Sequence, residues 1–202
     1  SPTNNFCTLN PLQQDSTGLS EGNLKFSTSS TSTHSMSSST FAATTGKWYC
    51  EVAMTASLGA NARIGIIPQD NDNYTGSDGH VGDDANSFAY VMDGNEESND
   101  SASSYGVSYS NGDIVGIALN LDDDEITFYH TDSSQGAISI TSGKEYRFAF
   151  SQYNNGGMVV NFGQDSSFAG NKTAQGNQDS NEIGDFYYEP PTDFLALCTS
   201  NL

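Results

Sequence analysis

Apolar and polar side chains alternate along most of this chain in short runs bounded by Gly, Asn, Asp and Ser. The run from Trp48 to Met54 is typical, because Trp48, Cys50 and Val52 share one face when strand side chains alternate. Helical periodicity is nearly absent. The pattern therefore predicts an all-β protein built as an antiparallel two-sheet β-sandwich.

The same alternation predicts a series of further strands. They are Arg63 to Ile67, Ser87 to Met92, Ile114 to Leu121, Glu125 to His130, Ala137 to Ile140, Tyr146 to Ser151 and Met158 to Phe162. Two turns are predicted to join neighbouring strands as hairpins. One is the acidic triplet from Asp122 to Asp124, and the other is Asn154 to Gly157, whose residues tolerate a positive φ.

Three stretches rich in Asn, Asp, Ser and Gly are predicted to be long loops. They are Pro68 to Asp84, Asp93 to Ser104 and Ala169 to Asp185. Residues 27–40, which are almost wholly Ser and Thr, fit either an exposed edge strand or a flexible link. Since long loops on a rigid scaffold usually carry binding, we expect the binding residues there.

The length of 202 residues fits one large sandwich, so we predict a single domain over residues 1–202. The net charge of -19 repels phosphate backbones and anionic lipids, which excludes nucleic acid and membrane surfaces as partners. The acidity fits solubility, a saline medium or attraction of cations. We see no basic region followed by an apolar run, and no apolar stretch near the roughly 20 residues that span a bilayer.

The three cysteines have neither a disulfide framework nor the spacing of a zinc site. Cys50 lies in an apolar strand pattern and is expected to behave as a small hydrophobic residue. Cys7 and Cys198 could meet if the two ends of the chain pair, but inert thiols are the simpler prediction.

Seven short motifs follow one another through the middle of the chain. They are Gly46 to Val52, Ile64 to Ile66, Tyr105-Gly106, Gly112 to Asn120, Ile126 to Tyr129, Tyr146 to Phe150 and Val159 to Gly163. In this order they resemble the SPRY domain family. Asn5 to Leu12 and Pro191 to Thr199 are similar to the ends of SPRY modules in bacteriophage structural proteins.

The resemblance implies a concanavalin A-like, jelly-roll type sandwich with a motif core at 46–163 and no catalytic role. It also implies a binding module at the surface of a phage virion, in a fibre, appendage or capsid-surface protein, that engages a host-surface glycan or another virion protein. The alternatives are a purely architectural virion subunit, for which a homo-oligomer is possible, and a concanavalin-like glycoside hydrolase. The chain departs from the family at His130 to Ser133, where the family has an Asn-Gly turn, and at 169–185, which is similar to an insertion.

Catalytic residues are not predicted. A glucanase of this fold needs paired carboxylates on one strand, and the E-x-D-x-x-E pattern is missing. His34, His80 and His130 are scattered without the context of a catalytic triad.

No cofactor is predicted, although aspartates crowd the loop from Pro68 to Asp84 and offer oxygen ligands for Ca²⁺. The weak metal candidates are Asp70, Asp72 and Asp83. Tyr74 stands where a calcium loop would place its third ligand, so a solvated acidic loop is favoured.

A glycan site needs aromatic faces for stacking beside amides and carboxylates that bind hydroxyl groups. Tyrosines in or beside the predicted loops supply aromatic faces, although Tyr105 and Tyr109 could instead pack inside the sandwich. The predicted ligand-binding residues are Asp70, Asn73, Tyr74, Asp78, Tyr90, Tyr153 and Asn154.

Overall fold

The computed structural model describes residues 4–12, 18–29, 33–55, 61–71 and 79–202, and within these it contains β-strands and no helix. The strands are β1 (Lys25–Thr28), β2 (His34–Ser38), β3 (Lys47–Met54), β4 (Arg63–Pro68), β5 (Phe88–Val91), β6 (Asn95–Ser98), β7 (Ser101–Ser104), β8 (Ile114–Asn120), β9 (Glu125–His130), β10 (Ser133–Ser139), β11 (Tyr146–Tyr153), β12 (Gly156–Asn161) and β13 (Leu195–Ala196). No described helix is long and apolar enough to cross a membrane.

The strands form two sheets. The first sheet has the order β1-β12-β3-β8-β9-β10, and the short β13 pairs with β3 in parallel. The second sheet has the order β2-β11-β4-β5-β6-β7, and its neighbours pair antiparallel. The predicted all-β, two-sheet sandwich is confirmed.

The main core lies between the sheets and follows the alternation of the sequence. Trp48, Cys50 and Val52 of β3 are buried there, as predicted, together with Phe148 and Phe150 of β11. The indole N–H of Trp48 donates to the carbonyl of Thr45 over 2.8 Å, so the polar atom of this side chain is also satisfied.

The first predicted hairpin forms, because β8 and β9 pair and are joined by the acidic triplet, in which Asp124 has a φ of 57°. The prediction of a second hairpin is wrong, because β11 and β12 belong to different sheets and the turn at Asn154, with a φ of 66°, connects one sheet to the other. Turn residues show where the chain reverses but not whether the flanking strands pair. At these two positions a left-handed backbone is required, and Asp and Asn tolerate it better than most residues.

The prediction of a loop from Asp93 to Ser104 is wrong, because this stretch holds the β6–β7 hairpin. Asn99 and Asp100 connect its strands with φ angles of 56° and 54°. Positive φ at both central residues is the type I′ geometry that matches the twist of a hairpin. The physical reason for the error is that Ser, Ala and Asn at the strand positions carry no apolar alternation.

Residues 27–40 contain the end of β1 and the whole of β2, which is indeed an edge strand of the second sheet. The expectation that it is exposed is wrong, since Ser35 to Ser38 are all buried. Met36 packs on Ala149 beneath the chain segment that crosses this face.

The outer face of each sheet is covered by a different part of the chain. The C-terminal region covers the first sheet, where Phe186 packs on Tyr49 and Phe168 packs on Ala53. The predicted insertion at 169–185 belongs to this cover, and it contains none of the named strands. The segment around Val81 covers the second sheet.

The two ends of the chain pair with each other, through a bridge between Phe6 and Cys198 and a 2.9 Å hydrogen bond from Cys7 N to the Leu197 carbonyl. Cys7, Cys50 and Cys198 are buried free thiols, as predicted.

Candidate functional site

The described end of the predicted loop Pro68 to Asp84 lies on the outer face of the second sheet and is fixed there. Residues 72–78 lie outside the described residues. On the returning side Val81 is fully buried against Ile67 and Ala89, and its backbone N–H donates to the hydroxyl of Ser151 over 3.1 Å. This end of the loop is therefore anchored both by apolar packing and by a buried hydrogen bond.

A network of charged side chains ties the same segment to the sheet. Arg63 of β4 donates from Nε to Oε2 of Glu97 over 2.8 Å and from Nη2 to Oε1 over 3.3 Å. His80 Nε2 lies 3.1 Å from Glu97 Oε1 and 3.4 Å from Asp100 Oδ1. Burial alone would raise the pKa of Glu97, but hydrogen bonds and charge from His80 and Arg63 outweigh it and lower the pKa to about 2.

Metal-ligating atoms of His80, Glu97 and Asp100 lie within 4.8 Å of one another, a spacing that an ion could bridge. Both oxygens of Glu97 are however engaged by the Arg63 guanidinium, whose positive charge opposes a bound cation. The geometry is that of an ion-pair network. It holds the loop against β6.

An open cleft of about 460 Å³ lies where the loop leaves and rejoins the sheet. We call it the loop-base cleft, and its lining residues are Pro68, Asp70, Asn71, Asp84, Ala85, Asn86 and Lys144. The Asn71 amide donates to the Asp84 carboxylate across it, and Lys144 Nζ lies 3.5 Å from Asp70 Oδ2. The cleft thus offers carboxylates, amides and one ammonium group to a ligand.

Comparison with family models gives one match to the chain. The model of the SPRY domain matches residues 47–165, which is more than half of the chain. This chain belongs to the SPRY domain family. SPRY domains are generally non-catalytic modules that bind other proteins.

Solved structures with the same fold accompany this match. The SPRY domain of human HERC1 has a TM-score of 0.62 at 12% identity, and the alignment covers 75% of this chain and 96% of that one. Stonustoxin has a TM-score of 0.58 at 18% identity, with 77% of this chain and 27% of that one covered. A human SPRY domain has a TM-score of 0.52 at 16% identity, with 68% and 90% covered. No curated protein sequence matches the chain.

The predicted site residues of this SPRY domain do not converge. Asp70 lines the loop-base cleft, whereas Tyr153 and Asn154 lie at the other end of β11, where the Tyr153 ring is 5.1 Å from that of His34. The proposed role of Tyr90 as an exposed ligand contact is wrong, because Tyr90 is fully buried and its hydroxyl donates to the Val107 carbonyl. Asn73, Tyr74 and Asp78 lie outside the described residues.

The other predicted positions are also placed individually. Tyr109 is buried in the main core and donates to the Ala62 carbonyl over 2.8 Å, and Tyr105 is half-buried against the same core. Asp83 accepts the backbone N–H of His80 over 3.2 Å and is not part of the metal-ligand group described above. Asp72 lies outside the described residues.

Sequence analysis of the SPRY domain missed Asn86 and Lys144 as lining residues of the cleft. Lys144 lies between β10 and β11, far from Asp70 in sequence, and reaches it only because β11 pairs with β4. The sequence carries one signal for Lys144. The chain has only 6 basic residues, and electrostatic attraction favours a position for this one beside the acidic loop.

Proposed function

We propose that this SPRY domain is a non-catalytic binding module that engages a partner protein through the loop-base cleft. The observation that carries the proposal is the contrast between a fixed frame and an open, polar cleft. Val81, Arg63 and Glu97 fix the loop on the sheet, while Asp70 and Lys144 remain accessible at its base, with side chains 72% and 34% exposed. Binding residues held on a rigid scaffold lose little conformational freedom when a partner docks.

We further propose that the domain belongs to the surface of a phage virion. The support is the similarity of residues 5–12 and 191–199 to the ends of phage SPRY modules. These two segments come together, because Cys7 and Thr199 both hydrogen-bond across the paired ends of the chain. Their joint position would suit attachment to a larger virion protein.

A host-surface glycan is the second candidate ligand. The amides and carboxylates of the loop-base cleft suit sugar hydroxyl groups, which is the specific observation in its favour. A glycan site also needs an exposed aromatic face. Tyr90 cannot supply one, and Tyr153 is half-buried against His34, so the described residues favour a protein ligand.

The test uses immobilised wild-type protein offered the proteins of disrupted virus particles and of the host envelope, with a glycan array in parallel. Lys144→Glu and Asn86→Arg should each reduce capture of the partner by about tenfold, since the first reverses the positive charge of the cleft and the second fills the cleft with a bulky side chain. Lys172→Glu is the matched control, because that lysine lies against the Gly112 carbonyl beside the first sheet. A partner captured equally well by both cleft variants would refute the assignment of the site.

The glycan array separates the two candidates. If a defined glycan binds the wild type and Lys172→Glu but not Lys144→Glu, the ligand of the cleft is a glycan rather than a protein. Imaging of virus particles with an antibody against this protein tests the virion proposal independently. Absence of the protein from purified particles would refute that proposal.

A further inference from the structure

Two edge strands lie side by side on one side of the sandwich. β7 is the last strand of the second sheet and β10 is the last strand of the first. They are linked at one end, where the Tyr105 hydroxyl donates to the Gly136 carbonyl and Val107 N donates to Gln135 Oε1 over 3.0 Å. Beyond this link the sheets are separated by a cleft.

This second cleft has a volume of about 200 Å³, and we call it the edge cleft. Its lining residues are Phe88, Ala89, Glu96, Glu97, Ser98, Ser101, Ser103, Ile138 and Ser139. Phe88 and Ile138 are half-buried and pack on the main core, so they give the cleft an apolar floor. Its walls carry small hydroxyl side chains, namely Ser98, Ser101, Ser103 and Ser139, together with two glutamates.

The edge of β7 has few of the features by which proteins usually block an exposed strand. Ser101 to Ser104 are exposed, small and uncharged, and they include no proline. β10 differs, because its pairing shifts between Ser134 and Ala137 in a bulge that disrupts the edge. An incoming strand therefore meets less obstruction along β7 than along β10.

The hairpin turn determines which backbone groups of β7 face outward. Ser98 and Ser101 close the two-residue type I′ turn and hence form a hydrogen-bonded pair. Since hydrogen-bonded and non-hydrogen-bonded pairs alternate, the N–H groups of Ala102 and Ser104 point away from β6. These are the groups that a strand added to β7 would use.

The charge around the edge cleft selects a cationic partner. Glu96 lines the cleft and accepts the Ser103 hydroxyl over 2.8 Å, and the Asp100 side chain at the hairpin turn is 69% exposed. None of the described residues that line the cleft is Lys or Arg. A second copy of this chain, with a net charge of -19, would be repelled.

We propose that the exposed edge of β7, at the rim of the edge cleft, accepts an extended basic segment of another protein, which adds to the second sheet as a strand beside β7. The basic side chains of that segment point to the face of the sheet that carries Glu96 and Ser103, with their aliphatic stems towards Ile138. Main-chain hydrogen bonds to an exposed edge supply affinity in this mode of recognition, and alternate side chains supply specificity. The site is separate from the loop-base cleft, so that either assignment can fail while the other stands.

The first probe is a short soluble peptide of alternating valine and lysine, titrated into the wild-type protein by calorimetry. Two matched peptides serve as controls, one with glutamate in place of lysine and one with N-methyl groups on the amides that would pair with β7. Each control should bind at least about tenfold more weakly, because one loses charge complementarity and the other loses backbone hydrogen bonds. Equal binding of the N-methylated peptide would overturn strand addition and leave only charge attraction.

Two variants locate the binding on the protein. Ala102→Pro removes an outward N–H at a position where an edge strand tolerates proline, and it should weaken the lysine peptide by about tenfold. Glu96→Gln should weaken it less, by roughly threefold, and Glu182→Gln is the matched carboxylate control outside the cleft, with no effect expected.

Hydrogen exchange of the wild-type protein gives an answer that does not depend on the folding of a variant. Addition of the lysine peptide should slow exchange of the Ala102 and Ser104 amides relative to the protein alone. Unchanged exchange at both amides under saturating peptide would refute the proposal.

Discussion

Each sheet carries one buried glutamate beneath the segment that covers its outer face, and the two glutamates are stabilised in opposite ways. Among the described residues, the hydrogen-bond partners of Glu51 of β3 include no cation. It accepts the backbone N–H groups of Tyr187 over 2.8 Å and Tyr188 over 2.7 Å, and the side-chain amide of Asn161 over 3.2 Å. Burial raises the pKa of Glu51 to about 7, although these donors act in the other direction.

Glu97 of β6 is also buried, but the Arg63 guanidinium and the His80 imidazole both bond to its carboxylate, and its pKa is lowered to about 2. The two segments that cover the outer faces of the sheets, here called the C-terminal cover and the loop cover, therefore differ in how they are attached. The C-terminal cover is attached to the first sheet by its own backbone and by Phe186, whereas the loop cover is attached to the second sheet by side-chain charges and Val81. The loop cover is also the one with a cleft at its base.

The largest effect is expected from removal of the cation on the second sheet. Arg63→Ala leaves the Glu97 carboxylate in a site where its side chain is only 8% exposed, and should lower the free energy of unfolding by about 3–5 kcal/mol. Urea denaturation with a matched slope analysis measures this loss.

A double variant shows whether the loss comes from an unpaired charge. Arg63→Met combined with Glu97→Met replaces both partners by apolar groups and should cost less than Arg63→Ala alone. If the double variant is as unstable as the single one, the stabilisation lies in the packing of the arginine stem, and the contrast with Glu51 loses its electrostatic basis.

The order of the eight predicted strands could be derived from the sequence because each carries apolar residues at alternate positions. β3 and β8 are the clearest cases, with Trp48, Cys50 and Val52 on one and Val115, Ile117 and Leu119 on the other. The β6–β7 hairpin and β2 could not be found in this way. Their side chains are mostly Ser, Ala, Asn and Glu, and their pairing depends on the neighbouring strand and on the cover above them.

The candidate site was less predictable than the fold. Asp70 was found because acidic residues cluster locally, but its partner Lys144 comes from another loop and depends on the pairing of β4 with β11. Tyr90 was misplaced for a related reason. Its hydroxyl is satisfied inside the molecule by Val107, a contact made by the tertiary fold rather than by any local pattern.

The second-largest effect is a pH dependence of the free energy of unfolding, and it comes from Glu51 in the first sheet. Because the pKa of Glu51 is raised from 4.5 to about 7, the native state binds a proton that the unfolded state has released across this range. The contribution to stability is complete below about pH 4.5 and is lost as the pH rises to about 7, with a total near 3 kcal/mol. Glu97 behaves in the opposite sense, since its contribution is present above pH 4.5 and is lost as the pH falls towards about 2.

We would measure the free energy of unfolding of the wild type and of Glu51→Gln at about pH 5 and at about pH 8. The difference between them isolates the contribution of Glu51 ionisation. Glutamine cannot ionise, so the variant should lose less stability than wild type between the two pH values. It should also be weaker at both by about 1–3 kcal/mol, because an amide N–H₂ faces the donors of Tyr187 and Tyr188. Glu182→Gln, at an exposed position, should keep the wild-type slope. An unchanged slope in Glu51→Gln would show that Glu51 is ionised throughout, and that the two glutamates are alike.

The smallest effect is expected at the exposed ion pair of the loop-base cleft. Lys144 Nζ and Asp70 Oδ2 are 3.5 Å apart, and the Asp70 side chain is 72% exposed, so solvent screens their attraction. Lys144→Ala should therefore change the free energy of unfolding by less than about 1 kcal/mol, against the several kcal/mol expected for Arg63→Ala. The same variant should still reduce capture of the proposed partner. A residue whose removal leaves the fold intact and weakens binding acts on the ligand, whereas a loss of stability as large as that of Arg63→Ala would make Lys144 another anchor of the loop cover.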